Sequence, residues 1–213
     1  LTQEEVLTIQ NHFEDAYGNK PTINTVTPLV GKELAKNGVI AVLLASLGIV
    51  IYISFRFQYL YGIAAIIALL FDAWFVLIVF SILQIEVNIP FIAAVLTVVG
   101  YSINYKIVTF DRIRENLKFE KKVKGFDDLA RVVNESLKQT LTRTINTVLT
   151  VLFAAVALFL FGGESIRSFS FAIVIGLLAG TYSSMFIAAQ LWLIFKTKQL
   201  EKQKKRPVQQ TEG

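Results

Sequence analysis

The sequence predicts an all-α polytopic membrane protein, and three observations carry that prediction. First, 54% of its 213 residues are hydrophobic and only 17% are charged, where a soluble domain carries about a quarter charged residues; the mean hydropathy is +0.56. Second, five apolar runs have the length a helix needs to cross ~30 Å of hydrocarbon at a rise of ~1.5 Å per residue. Third, the lysines and arginines that give a net charge of +5 gather on one side of those runs.

The elements follow in order. Residues 1–37 read as the C-terminal remnant of an α+β extracytoplasmic domain. Thr2 and Glu5 make a capping-box pattern, Val6, Ile9, Phe13 and Ala16 keep helical spacing, and Gly18 can stop the helix. Residues 22–27 alternate like a short strand. One helix and one strand bury no core, and the chain begins at Leu1, so upstream sequence or a partner is expected to complete this domain. Residues 38–195 form the transmembrane domain. Its runs lie at about 39–55, 61–83, 90–110, 141–161 and 169–195, separated by Arg56–Tyr59, by Gln84–Pro90 with proline at a helix start, by a long charged loop and by Gly162-Gly163. Within the loop, Phe126, Leu129, Val133 and Leu137 line one stripe of an amphipathic helix at about 126–140, with Asp127 and Asp128 favourable at its N-terminus. That helix is expected to lie on the membrane surface and to lead into the fourth run. Residues 196–213 are a basic tail.

Orientation follows from the positive charges. The segment Arg112–Lys138, the tail after Phe195 and Arg56 share one side, which places the loop and C-terminus in the cytoplasm and the N-terminal segment outside. The basic balance is thereby a topology signal, and a nucleic-acid partner is not indicated. Cysteine is absent and His12 is the single histidine. Thiolate chemistry is excluded, and a histidine-based metal site or triad has too few ligands. No enzymatic role, resident metal or cofactor is expected.

Charges inside the apolar runs are the informative residues, because each costs about 2.5–3.5 kcal/mol at a helix centre. Asp72 lies near the midplane of the second run, Lys106 in the third and Arg143 about one turn into the fourth. Ser102, Asn104 and Tyr105 accompany Lys106; Thr144, Asn146, Thr147 and Thr150 accompany Arg143. The third and fourth runs are antiparallel, so these polar clusters are expected at similar depth, where they could join in one hydrogen-bonded network. Two readings stand for Arg143, a member of an ion or proton pathway and a side chain snorkelling to headgroups. The position of Lys106 favours snorkelling. Asp72 reads equally as a pathway carboxylate or a locally paired one. Gly176, Gly180 and Ser184 recur every four residues, a small-residue face for helix packing; Ala64, Ala68 and Asp72 do the same on the second run.

Several motifs together resemble one family. Phe91 to Asn116, FIAAVLTVVGYSINYKIVTFDRIREN, is similar to the signature of SecF, including the SecF half of fused SecDF proteins. Val30–Leu34 (VGKEL), Tyr52–Phe57 (YISFRF), Asp72, Thr142–Thr150 (TRTINTVLT), Gly162–Arg167 (GGESIR) and Gly180–Ala188 (GTYSSMFIA) follow in the same order along nearly the whole chain. The resemblance implies half of a resistance–nodulation–division (RND) bundle, in which the five runs are the last five of six helices. It implies a bacterial plasma-membrane protein that pairs with SecD, fused or separate. It further implies proton flow as the driving force, with the SecYEG channel, a translocating preprotein and a YajC-type accessory subunit as partners.

One departure concerns the relay itself. The family pattern reads Gly-Tyr-Ser-Ile-Asn-Asp-Thr, and here its last two places hold Tyr105 and Lys106. A phenol, with a reference pKa of ~10, carries protons poorly at neutral pH. Lys106 brings a second cation toward Arg143, and Asp72 is set off from it by one or two turns of depth. The expected relay is Arg143 with Asn104, Tyr105 and Thr147, joined by Lys106 and Asp72. The first expectation is thus a SecF-type export subunit that uses the proton gradient. The alternatives are a structural, proton-uncoupled Sec subunit and an RND small-molecule efflux transporter.

Overall fold

A computed structural model describes residues 3–18, 58–120 and 125–205, with separate positions between 33 and 52. The chain divides into two compact units, Leu1–Ile40 and Ala41–Gly213. In the first, helix α1 spans Gln3–Tyr17. It stops where expected: Gly18 takes φ +71°, and its N–H donates to the Glu14 carbonyl at 2.8 Å, an αL stop that glycine adopts without a Cβ penalty. The capping residue Thr2 and the strand predicted at 22–27 lie outside the described residues.

The second unit is a bundle of long helices. Helix α2 spans Tyr59–Ile82, α3 Ile89–Phe119, α4 Phe126–Phe161, α5 Glu164–Ser183 and α6 Ala189–Lys205. A π turn, Ser184–Ala188, joins α5 to α6, so the two make one long rod. Among the described residues, four helices are long and apolar enough to cross a membrane. They correspond to the second to fifth expected runs. The first run, 39–55, is described at ten of its seventeen positions, and those are helical.

Local chemistry explains the boundaries. Asn88 caps α3, its side-chain oxygen accepting from the Phe91 N–H at 3.0 Å, and Pro90 follows where a missing N–H costs nothing. Gln84 turns the α2–α3 connection at φ +54°. Its amide donates to the Ser81 carbonyl at the α2 C-terminus, one of the carbonyls a helix end leaves open.

Two apolar clusters hold the bundle. One packs Tyr61, Ala64, Ala65 and Ala68 of α2 against Phe110 and Ile113 of α3, Leu129 and Val133 of α4, and Trp192 and Leu193 of α6. Tyr61 stacks on Trp192 with centroids 4.9 Å apart and meets Phe110 edge-on at 5.1 Å, geometries that favour aromatic pairs. The other joins Val76 and Phe80 to Phe91, Val95 and Tyr105, and to Val148, Ala172 and Leu177. Helix α5 touches α2, α3 and α4.

The surface-helix expectation is corrected here. The segment 126–140 is the first part of α4, continuous with the fourth span. Leu129 and Val133 of its stripe are buried in the first cluster, with Leu137 packed against it; only Phe126 stays exposed. The stripe finds a protein surface because α3 runs on past its apolar stretch to Phe119 and carries Ile113 there to meet it. Polar bonds tie the same two helices: Asn116 donates to Ser136 and to Gln139, both at 2.9 Å, and Arg112 donates to Gln139 at 2.5 Å.

A buried carboxylate–ammonium centre among three helices

The four-residue spacing of Ala64, Ala68 and Asp72 puts all three on one face of α2, and all three are fully buried. The two alanines let α2 come close to its neighbours, and Asp72 is carried into the bundle at the end of that face. Opposite it, α3 presents Ser102 and Lys106, one turn apart, and both are buried. The Lys106 ammonium donates to Asp72 Oδ2 at 2.7 Å, to Ser102 Oγ and to Ser183 Oγ at 3.0 Å. All three of its protons are therefore placed. Ser102 donates to Asp72 Oδ2 as well, and Ser183 donates to the Gly180 carbonyl at 3.2 Å. A charge pair removed from water is stable only when its remaining hydrogen-bonding groups are met. This centre meets those of the ammonium with two hydroxyls from two helices, while Asp72 Oδ1 has no partner among the described residues.

The expectation that Lys106 snorkels is thus overturned, and Asp72, set off from it in depth by counting along the helices, is its counter-charge. Side chains lean toward the N-terminus of their helix. The N-terminus of α3 lies at the end of the bundle away from the basic loop, so Lys106 reaches inward past Ser102 instead of out to headgroups. Its stem is long enough to cross about one turn of depth, ~5.4 Å, and so to reach Asp72.

Gly180 and Gly176 bring α5 to this centre. A Cβ on Gly180 would stand 2.9 Å from Ser102 Oγ and 3.1 Å from Ser102 Cβ, and one on Gly176 would collide with the Val98 side chain. The helices approach at the separation only glycine permits. Ser184, the third member of that face, is buried where the π turn begins. Ser183 was missed from the sequence, because it sits one residue off the Gly-Gly-Ser repeat; a small hydroxyl beside that repeat was the available signal. The π turn, a form enriched at functional sites, starts directly after it.

The polar clusters of α3 and α4 do not merge into one network. Asn104 is exposed while Lys106, two residues on, is buried; two residues turn a helix by ~200°, so the pair occupies opposite faces. Arg143 and Asn146 are exposed on α4, and the Arg143 guanidinium has no protein partner among the described residues. Thr147 and Thr150 turn back to the Arg143 and Asn146 carbonyls, both at 2.8 Å. Tyr105, 2% exposed, packs in the second apolar cluster, with a hydroxyl that has no partner among the described residues. Two polar features result: the buried centre of Asp72, Ser102, Lys106 and Ser183, and exposed polar positions, Asn104 on α3 and Arg143, Asn146 and Thr150 on α4.

The family described as protein export membrane protein SecD/SecF, C-terminal, matches residues 7–198. The chain is 54% identical over 200 residues to the protein translocase subunit SecDF of Bacillus subtilis, covering 94% of this chain and 27% of that protein. It is 52% identical over 206 residues to the protein translocase subunit SecF of Alicyclobacillus acidocaldarius, covering 95% and 66% respectively. The crystal structure of SecDF from Thermus thermophilus, a translocon-associated membrane protein, superposes with a TM-score of 0.80 at 42% identity over 92% of this chain and 27% of that one. A second SecDF crystal structure, a super-membrane-facing form, gives 0.78 at 35% identity. The chain thus spans about a quarter of the fused relatives and two-thirds of the separate one. It is membrane-integral, and it belongs to the SecD/SecF C-terminal family of protein export membrane proteins.

Proposed function

We propose that this chain is the SecF-type part of the bacterial Sec export machinery and that it uses the proton gradient to assist preprotein translocation. The observation that carries the proposal is the set of exposed polar positions on α3 and α4. Asn104, Arg143, Asn146 and Thr150 are exposed, and from Leu141 onward the other exposed residues of α4 are apolar apart from Thr142. Facing lipid, an arginine at this height would cost several kcal/mol. Facing a second bundle, it lines a polar seam. The second bundle is the SecD half, and the seam is the proton path, with Arg143 as its fixed charge, Asn104 and Thr147 beside it, and Tyr105 buried behind it in the apolar cluster. Asp72 and Lys106 brace the half from within. The basic loop and tail lie in the cytoplasm and the N-terminal segment outside the plasma membrane. SecYEG, the preprotein and a YajC-type subunit complete the assembly. No cofactor takes part, and no bond is made or broken.

Arg143→Ala in the full-length protein tests this through an export assay run with and without a protonophore. The expected result is normal insertion with loss of the gradient-dependent late step. Unchanged gradient dependence in that variant refutes the seam as the path. The second reading, a structural subunit without proton coupling, is favoured by Tyr105, which stands where the family motif has a carboxylate. It predicts export equally fast with the gradient collapsed. The double substitution Tyr105→Asp with Lys106→Thr tests the slot itself: export that stays unchanged while the full-length protein inserts normally refutes a place for the slot in the path.

A further inference from the structure

Three side-chain oxygens from three helices converge on one buried cation. They are Asp72 Oδ2 of α2, Ser102 Oγ of α3 and Ser183 Oγ of α5, and the cation is the ammonium of Lys106. An ammonium is a compact, strongly hydrated point charge, and one carboxylate with two hydroxyls is the kind of oxygen set that hard ions take. The charge balance fixes the valence. Asp72 contributes one negative charge to a dry interior, where any net charge is expensive, so one monovalent cation neutralises it and a divalent ion would leave an excess. Asp72 is 0% exposed, and its Oδ1 has no partner among the described residues. A fourth oxygen thus stands unused beside a lysine that has spent its three donors. The set is also held tight. Ser102 lies so close to Gly180 that a single methyl there would touch it, which leaves its hydroxyl little room to retreat before a large ion.

We propose that Asp72, Ser102 and Ser183 form a monovalent-cation site that Lys106 fills from within the chain, and that sodium is the ion the site takes when the lysine is removed. The bundle carries its counter-ion covalently, so the native site does not respond to sodium in the medium. This inference rests on the bundle's geometry and is independent of the export reading.

The test uses the full-length protein in lipid nanodiscs, with Lys106→Thr as the opened site. Unfolding temperature is measured in sodium, potassium and choline chloride at equal ionic strength, and retention of radiolabelled sodium is measured on the same samples. The native protein is expected to melt alike in all three salts and to retain no sodium. Lys106→Thr is expected to melt about 3 °C or more higher in sodium than in choline and to retain the label. Adding Asp72→Asn should abolish both effects. The proposal is overturned if folded Lys106→Thr retains no sodium, or if the label persists without Asp72. If Lys106→Thr does not survive purification in choline, recovery in sodium chloride supports the proposal, and equal loss in all three salts overturns it.

Discussion

Asp72→Asn removes one charge of the buried pair and leaves the other. The Lys106 ammonium then keeps Ser102 and Ser183 but loses its counter-charge in a site with no water access, both partners being 0% exposed. At the observed 2.7 Å separation, an effective dielectric of ~20 gives an attraction of about 6 kcal/mol. Most of that offsets the cost of bringing both ions out of water, so the intact pair adds little net stability. Breaking it does not release that cost. The expected loss for Asp72→Asn alone is about 3–5 kcal/mol, or an unfolding temperature lower by about 6–20 °C for a domain of this size. Asp72→Leu with Lys106→Met removes both charges and keeps much of the volume, and is expected within ~2 kcal/mol of the native protein or above it. A double-mutant cycle on the purified protein, read by thermal unfolding in one detergent, gives the coupling directly. A coupling energy below about 1 kcal/mol, or a double variant as unstable as Asp72→Asn, would refute the account of this centre as a closed, mutually dependent pair.

Other substitutions follow from the packing. Gly176→Ala drives a methyl into Val98 and should cost about 1–3 kcal/mol; Gly176→Ala with Val98→Ala should recover part of it, and thermal unfolding of both checks this. Trp192→Ala empties the space between Tyr61, Phe110 and Leu193 and should cost about 3–5 kcal/mol, with a matching loss of near-UV circular dichroism. Asn88→Ala leaves the Phe91 N–H without its cap and should cost about 1 kcal/mol, while Asn88→Ser or Asn88→Asp should hold native stability in the same unfolding measurement.

The architecture was legible because the solvent writes it into composition. Apolar runs and the placement of Lys and Arg gave the spans, and a glycine gave the end of α1. The scarcity of charge made Asp72, Lys106 and Arg143 visible one by one. Their partners were not legible, for a geometric reason. Depth counted along a helix marks the Cα, whereas Lys106 acts at the end of a long stem that leans toward its helix N-terminus. Counting therefore set it apart from Asp72 and beside Arg143, and the structure reverses both. Rotation was the second hidden variable. Asn104 and Lys106 look like one cluster in the sequence and occupy opposite faces of α3. The packing of the 126–140 stripe was hidden because a stripe that suits lipid headgroups equally suits the extended end of α3. The π turn carries no composition cue at all.

That turn has a consequence for how the chain tolerates change in length. A π turn holds a residue more than an α turn of the same span, and each residue in a helix carries ~100° of phase. Ser183 before it and Trp192 after it both face inward because the widened turn at Ser184–Ala188 takes up its extra residue without changing the phase of the helix beyond. Deleting one residue there would restore regular helix and leave Trp192 on Tyr61 and Ser183 on Lys106, whereas deleting one residue within α6 before Trp192 would swing that side chain by about 100°. The rod thus tolerates a gap of one residue in this stretch that the regular helix on either side would not.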